Sequence, residues 1–125
     1  MIAKTLLLTL MMAALPMAAH ALDRKDAERA MTEANAAVES AQRADAAQYA
    51  ATDLNTSHDM LTNAQAAFDH HHWNDSVFSA ENAKADADLA TARSRQHRAE
   101  QSTAEVEQTV RSLREQLGIA AGGQS

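Results

Sequence analysis

Three consecutive histidines, His70, His71 and His72, stand between Asp69 and Asp75. Imidazole nitrogens and carboxylate oxygens within one short segment are the donor set that suits zinc, copper or nickel. A metal-binding corner is therefore the sharpest chemistry on offer. Geometry restricts it. Neighbouring residues of a helix project about 100° apart, so three consecutive histidines face one ion only where the chain unwinds. His58 lies about 21 Å from His72 along a helix, and His97 belongs near the opposite turn, so neither completes the set within one chain. Exposed corner histidines that bind nothing specifically are the competing account.

The other polar groups point to less. Arg93, Arg95 and Arg98 form a patch that suits an anionic polymer, but Glu100, Glu105 and Glu107 dilute it towards a solvated helix face. Trp73 beside the histidines reads as the seal on one end of a helical hairpin. Enzymatic readings fail on inventory, and no cofactor is expected. The chain has no cysteine nucleophile, no glycine-rich phosphate loop and no serine in a strand-to-helix elbow. Its carboxylates are expected on exposed helix faces, not in the buried clefts where acid–base chemistry is done.

The elements that must position these groups are helices. In 125 residues there are 3 glycines and 1 proline, with only 3 % aromatic residues. That length leaves room for one domain. The net charge of −6 supplies no basic stripe for a nucleic acid, nor for an anionic membrane surface.

From Asp23 a first helix is expected to about residue 50. Its apolar positions, Ala27, Ala30, Ala34, Ala37, Ala41 and Ala44, alternate spacings of three and four, a heptad seam made of alanine. Each buried methyl contributes only on the order of 1 kcal/mol, in exchange for close backbone approach. A second helix, about residues 53–70, carries Leu54, Ser57, Leu61, Ala64 and Phe68, with Thr52 or Asp53 as candidate cap. A third, about residues 75–117 and capped by Asn74 or Asp75, carries Val77, Ala80, Ala83, Ala87 and Ala90. Gly118 then stops it and residues 118–125 form a flexible tail. Ala34 to Glu39 also echoes Ala64 to Asp69, too few copies for a solenoid.

Residues 1–21 read as a cleavable signal peptide. Lys4 precedes an apolar run from Leu6 to Leu15, Pro16 ends it, and Ala19-His20-Ala21 offers a small-x-small cleavage site. A spanning helix needs roughly 20 apolar residues, so no stable membrane anchor is expected after cleavage. Leu22, not cysteine, follows the site. Loss of Lys4 from the 11 basic residues leaves 10 against 17 acidic ones, a net of −7. The periplasm is the expected destination.

Length raises the question of a partner. Helix two, at about 18 residues, spans roughly 27 Å, and helix three more than twice that. The third helix must overshoot beyond about His97. Past the polar stretch from Thr91 to Ser102 the seam resumes in another phase as Val106, Val110, Leu113 and Leu117. An exposed apolar heptad stripe usually finds a second chain, so a homo-oligomer or an envelope protein partner is expected there. Folding back at the polar segment is the competitor.

The hairpin also has a familiar look. Tyr49-Ala50-Ala51-Thr52-Asp53-Leu54, followed by Leu61 and Ala64, resembles the tyrosine-alanine-proline-x-glutamate-leucine signature of a bacterial, exported, alanine-rich helical family, catalogued as domain of unknown function number 4398. Trp73, Ala80-Glu81-Asn82-Ala83 and Asp86-Ala87-Asp88-Leu89-Ala90 resemble its second stretch. The resemblance covers about Ala27 to Ala90. The family proline is Ala51 here, and the lysine before the helix-two leucine is Met60. Some members carry an OmpA-like peptidoglycan-binding domain; none is expected after these helices, so the resemblance brings no cell-wall anchoring role. The resemblance implies an envelope helical module and brings no catalytic residues.

The expectation is thus an all-α fold, an antiparallel helical hairpin or three-helix bundle over residues 22–117 with a long C-terminal helix and alanine-rich coiled-coil-like seams. Its expected role is a non-enzymatic periplasmic structural or interaction module acting through helix–helix contacts. A periplasmic metal-binding or metal-buffering protein using His70 to His72 is the alternative.

Overall fold

The computed structural model describes residues 21–118; the expected signal peptide falls almost wholly outside them, as does the tail beyond Gly118. Four helices follow in order: α1 (Arg24–Arg43), a one-turn α2 (Ala46–Tyr49), α3 (Ala51–Asp69) and the 44-residue α4 (Trp73–Gln116). The described residues are all-α. Helix α3 returns antiparallel to α1, and α4 returns antiparallel to α3, lying against both partners.

The seams expected from the sequence form the core. Ala27, Ala34, Ala37, Ala41 and Ala44 are buried from the first segment, Leu54, Ser57 and Ala64 from α3, and Val77, Ala80, Ala83, Ala87 and Ala90 from α4. Ala34 and Ala64, the echoed pair, meet Ala80 and Ala83 in one layer. Ala37, Val38, Ala41, Ala46, Ala50, Leu54, Ala87 and Ala90 make the next, and Leu61 bridges the two. Serine is the largest side chain fully excluded from water among the described residues. A core of methyl groups draws little from burial per residue but lets helix backbones approach within reach of a hydroxyl.

That reach is used twice between α3 and α4. Ser57 Oγ donates to the Ala83 carbonyl oxygen at 2.6 Å, and Ser76 Oγ donates to the Ala64 carbonyl oxygen at 2.9 Å. Thr91 and Ser94 satisfy their buried hydroxyls on α4 itself, at the carbonyls of Ala87 and Ala90. No buried side-chain nitrogen or oxygen lacks a partner among the described residues.

Helix ends depart from expectation in three places. Helix one does not run to residue 50. It stops at Arg43, Asp45 takes the left-handed conformation at φ 63°, and α2 follows as a separate turn. The break lets Ala46 and Ala50 point into the core instead of continuing out along the first helix. Helix α3 starts at Ala51, so Thr52 and Asp53 lie inside its first turn and Ala50 is the N-cap, with no side-chain cap. Helix α4 likewise starts at Trp73, two residues early, placing Asn74 and Asp75 inside it and His72 at the uncapped N-cap. Asp53 and Asp75 still favour their helices, since negative charge in a first turn complements the helix dipole. Among the described residues only α1 has a full capping box: Asp23 Oδ1 accepts from the Asp26 N–H at 3.0 Å, and Asp26 Oδ2 accepts from the Asp23 N–H at 3.1 Å.

Candidate functional site

The two ends of the bundle hold the candidate groups. At one end, the histidine corner joins α3 to α4. The His71 N–H donates to the Phe68 carbonyl oxygen at 3.0 Å and the His72 N–H to that of Ala67 at 2.9 Å. With His71 at φ 61°, this is a Schellman turn, and His71 stands where glycine is usual. The corner thus unwinds, as convergence of the histidines requires, but it does not bring them together. All three side chains are exposed. The His70 and His72 rings sit 6.2 Å apart, centroid to centroid, while His71 turns to meet Trp73 edge-on at 5.2 Å.

The carboxylates are also spread. Asp69 Oδ1 accepts from Gln65 Nε2 at 2.9 Å on α3, and Asp75 approaches only His72, at 4.0 Å. Among the described residues no three His, Cys, Asp or Glu side chains gather so as to hold a metal ion. A solvent-open hollow of about 350 Å³ runs beside them, lined by Leu22, Trp73 and Asn74 as well as His71, His72 and Asp75. Trp73 is half-buried and packs edge-on against Phe68 at 5.2 Å, and the Arg24 guanidinium lies over the Phe68 ring at 5.7 Å. These aromatic groups close the end of the bundle.

At the other end, the α2 corner fastens α4. Tyr49 donates its hydroxyl to Gln101 Oε1 at 3.0 Å, and its ring stacks with His97 at 6.2 Å. Arg98 faces Asp45 at 3.5 Å. One turn inward, a single nitrogen of Arg93 donates to both carboxylate oxygens of Asp53, at 2.8 and 2.6 Å. Two of the three arginines of the sequence patch are therefore occupied within the fold, and neither contact announces itself in the sequence. Lys84, about a quarter of the way along α4, is held above the usual lysine range by its hydrogen bond and attraction to Asp88.

Beyond Gln101 nothing in the bundle accompanies α4. The remaining 15 helical residues extend about 22 Å with every one of them exposed. Val106, Val110, Leu113 and Leu117 are 60, 39, 50 and 72 % exposed. In an ideal helix their face is turned about 110° from the core-facing seam of α4. The helix does not fold back at its polar stretch. It runs continuously to Gln116, where Gly118 at φ 65° ends it. No described helix is long and apolar enough to cross a membrane.

A family model described as Domain of unknown function (DUF4398) matches residues 29–106. The match takes in most of α1, all of α2 and α3, and α4 as far as the first residue of the stripe. It covers more than half of the chain, and the chain belongs to that family. No curated protein and no solved structure matches it.

Proposed function

We propose that this member of the family is an exported, non-enzymatic interaction module of the periplasm, joining cell-envelope components through helix–helix contacts. One observation carries the reading: α4 outruns its bundle and presents Val106, Val110, Leu113 and Leu117 to solvent in three-four spacing. Soluble chains rarely leave an ordered apolar row uncovered unless something docks on it. The signal-like residues 1–21 support export. The bundle, with its core of small side chains and satisfied hydroxyls, serves as the base from which the helix projects. The dispersed histidines favour no metal-buffering role.

A photo-crosslinking residue at exposed Thr109, which flanks the stripe, introduced in the cells that make the protein, tests this. Discrete cross-linked species from the periplasm are expected, on a chain whose N-terminus is Leu22. The double variant Val110→Glu, Leu113→Glu is expected to lose them while keeping most of the helicity of the wild type, that of the bundle. Cross-links that survive the double variant, or none in the wild type, refute the stripe as the working surface.

A further inference from the structure

The charges beside the stripe say which kind of helix fits it. In heptad terms Val110 and Leu117 take the a positions and Val106 and Leu113 the d positions. The e positions flanking them are then Glu107 and Arg114, and the g positions are Ser102, Thr109 and Gln116. Glu107 and Arg114 are exposed, and neither has an ion-pair partner among the described residues. We propose that a second copy of this chain covers the stripe, the two α4 extensions pairing antiparallel about a twofold axis near residues 111 and 112. The inference rests on the docking role given above and names the occupant.

In that register Val110 packs against the partner's Leu113 and Val106 against the partner's Leu117. All four apolar residues of both chains are covered. The same register sets Glu107 opposite the partner's Arg114, and by symmetry Arg114 opposite the partner's Glu107. Thr109 then faces the partner's Gln116, which is neutral. A parallel pair brings Thr109 beside the partner's Arg114 and Ser102 beside the partner's Glu107, so no opposite charges meet. Flanking charges set helix orientation in this way in coiled coils generally.

Length agrees with charge. With Val106 beside the partner's Leu117, the partner helix, which ends at Gln116, stops opposite about residue 107. That is more than one turn past Gln101, the last α4 residue the bundle grips, through Tyr49. The extension is thus long enough for one antiparallel partner and stops short of driving it into the bundle. The two bundles sit at opposite ends of the paired helices, which keeps two negatively charged bodies apart.

Sedimentation equilibrium, combined with distances between single spin labels, tests orientation as well as association. The chain has no cysteine, so Ser112→Cys and Ser102→Cys each carry one label. An antiparallel dimer places the two residues 112 about 10 Å apart across the helix pair, but the two residues 102 roughly 28 Å apart along it. Glu107→Arg is expected to weaken the dimer about tenfold by turning both ion pairs into repulsions, and Glu107→Arg with Arg114→Glu to restore it. Short distances at both positions, or indifference to the charge reversal, overturn the antiparallel pair and leave the docking role standing. A monomer at millimolar concentration overturns self-pairing altogether, and the docking role then stands on cross-links in cells to a different protein.

Discussion

The Ser57 hydroxyl on α3 reaches the carbonyl oxygen of Ala83 on α4 at 2.6 Å, and twelve positions separate Ser76 from the carbonyl of Ala64 that it reaches in return. Two serines on opposite helices each bond the other helix's backbone, which requires a seam of alanines on both sides. The accepting carbonyls keep their own helical bonds. Replacing Ser57 by alanine therefore orphans no group and removes one net hydrogen bond, about 1 kcal/mol. Urea denaturation should show that loss as a lower midpoint with an unchanged slope.

Enlarging the seam should cost more than depleting it. Ala83 is fully buried between α1 and α3, with no gap to receive a branched chain. Ala83→Leu is expected to destabilise by about 1–3 kcal/mol through displaced backbones and off-rotamer side chains. Ala92→Leu, on the exposed side of the same helix, should leave the midpoint nearly unchanged. Equal effects at both positions would show that the seam is not close-packed.

His71 has a backbone role, whatever its ring does. At φ 61° it bears the cost of a left-handed conformation, roughly 1–2 kcal/mol for residues with a Cβ, softened because histidine is among the side chains that tolerate this region. His71→Gly is expected to raise the thermal midpoint, by about 1 kcal/mol of stability at most, since the flexibility of glycine in the unfolded chain offsets part of the gain. A lower midpoint would show that the edge contact of His71 with Trp73 matters more than the backbone relief.

The Asp53–Arg93 pair ties α3 to α4 at the end where the extension departs. Asp53 is only 14 % exposed but Arg93 is half in solvent. Both bonds use one nitrogen, so the arginine does not present its two-pronged fork. Asp53→Asn should cost less than about 1 kcal/mol, and raising the salt concentration should narrow the gap between variant and wild type. A loss that salt does not touch would mean that the carboxylate acts by packing.

Seams were readable from the residues because burial repeats every three or four positions whatever the partner. Ser76 and Ser94 continue the α4 seam at four-residue steps before Ala80 and after Ala90, yet a polar type at such a position does not reveal its acceptor. Helix ends were less readable. Nothing but conformation separates Asp45 and His71 from helical residues, since neither glycine nor proline marks the two reversals. Capping failed for a related reason: α3 and α4 begin upstream of the side chains that would cap them, and α4 is started by the turn that closes α3. The overshoot was visible as a mismatch of helix lengths, which needs no tertiary information. The tie between Tyr49 and Gln101, which decides where the overshoot begins, depends on the α2 corner and is visible only in three dimensions.

Hydrogen exchange should mark that boundary. Amides from Ser76 to Ser94 lie against two neighbouring helices and open only with the bundle, whereas those from Ser102 to Gln116 belong to a lone helix of about four turns. A single helix of that length is marginal in water, so its amides exchange through local fraying. In the Val110→Glu, Leu113→Glu variant, the extension is expected to exchange orders of magnitude faster than the α4 seam. In wild-type protein at high concentration, the same amides should slow as the stripe is covered, while those of the bundle keep their rates. The slowing should grow with protein concentration, because a partner copy protects only to the extent that it is bound. Protection that is strong at all concentrations and in the variant would mean that the extension is held within its own chain.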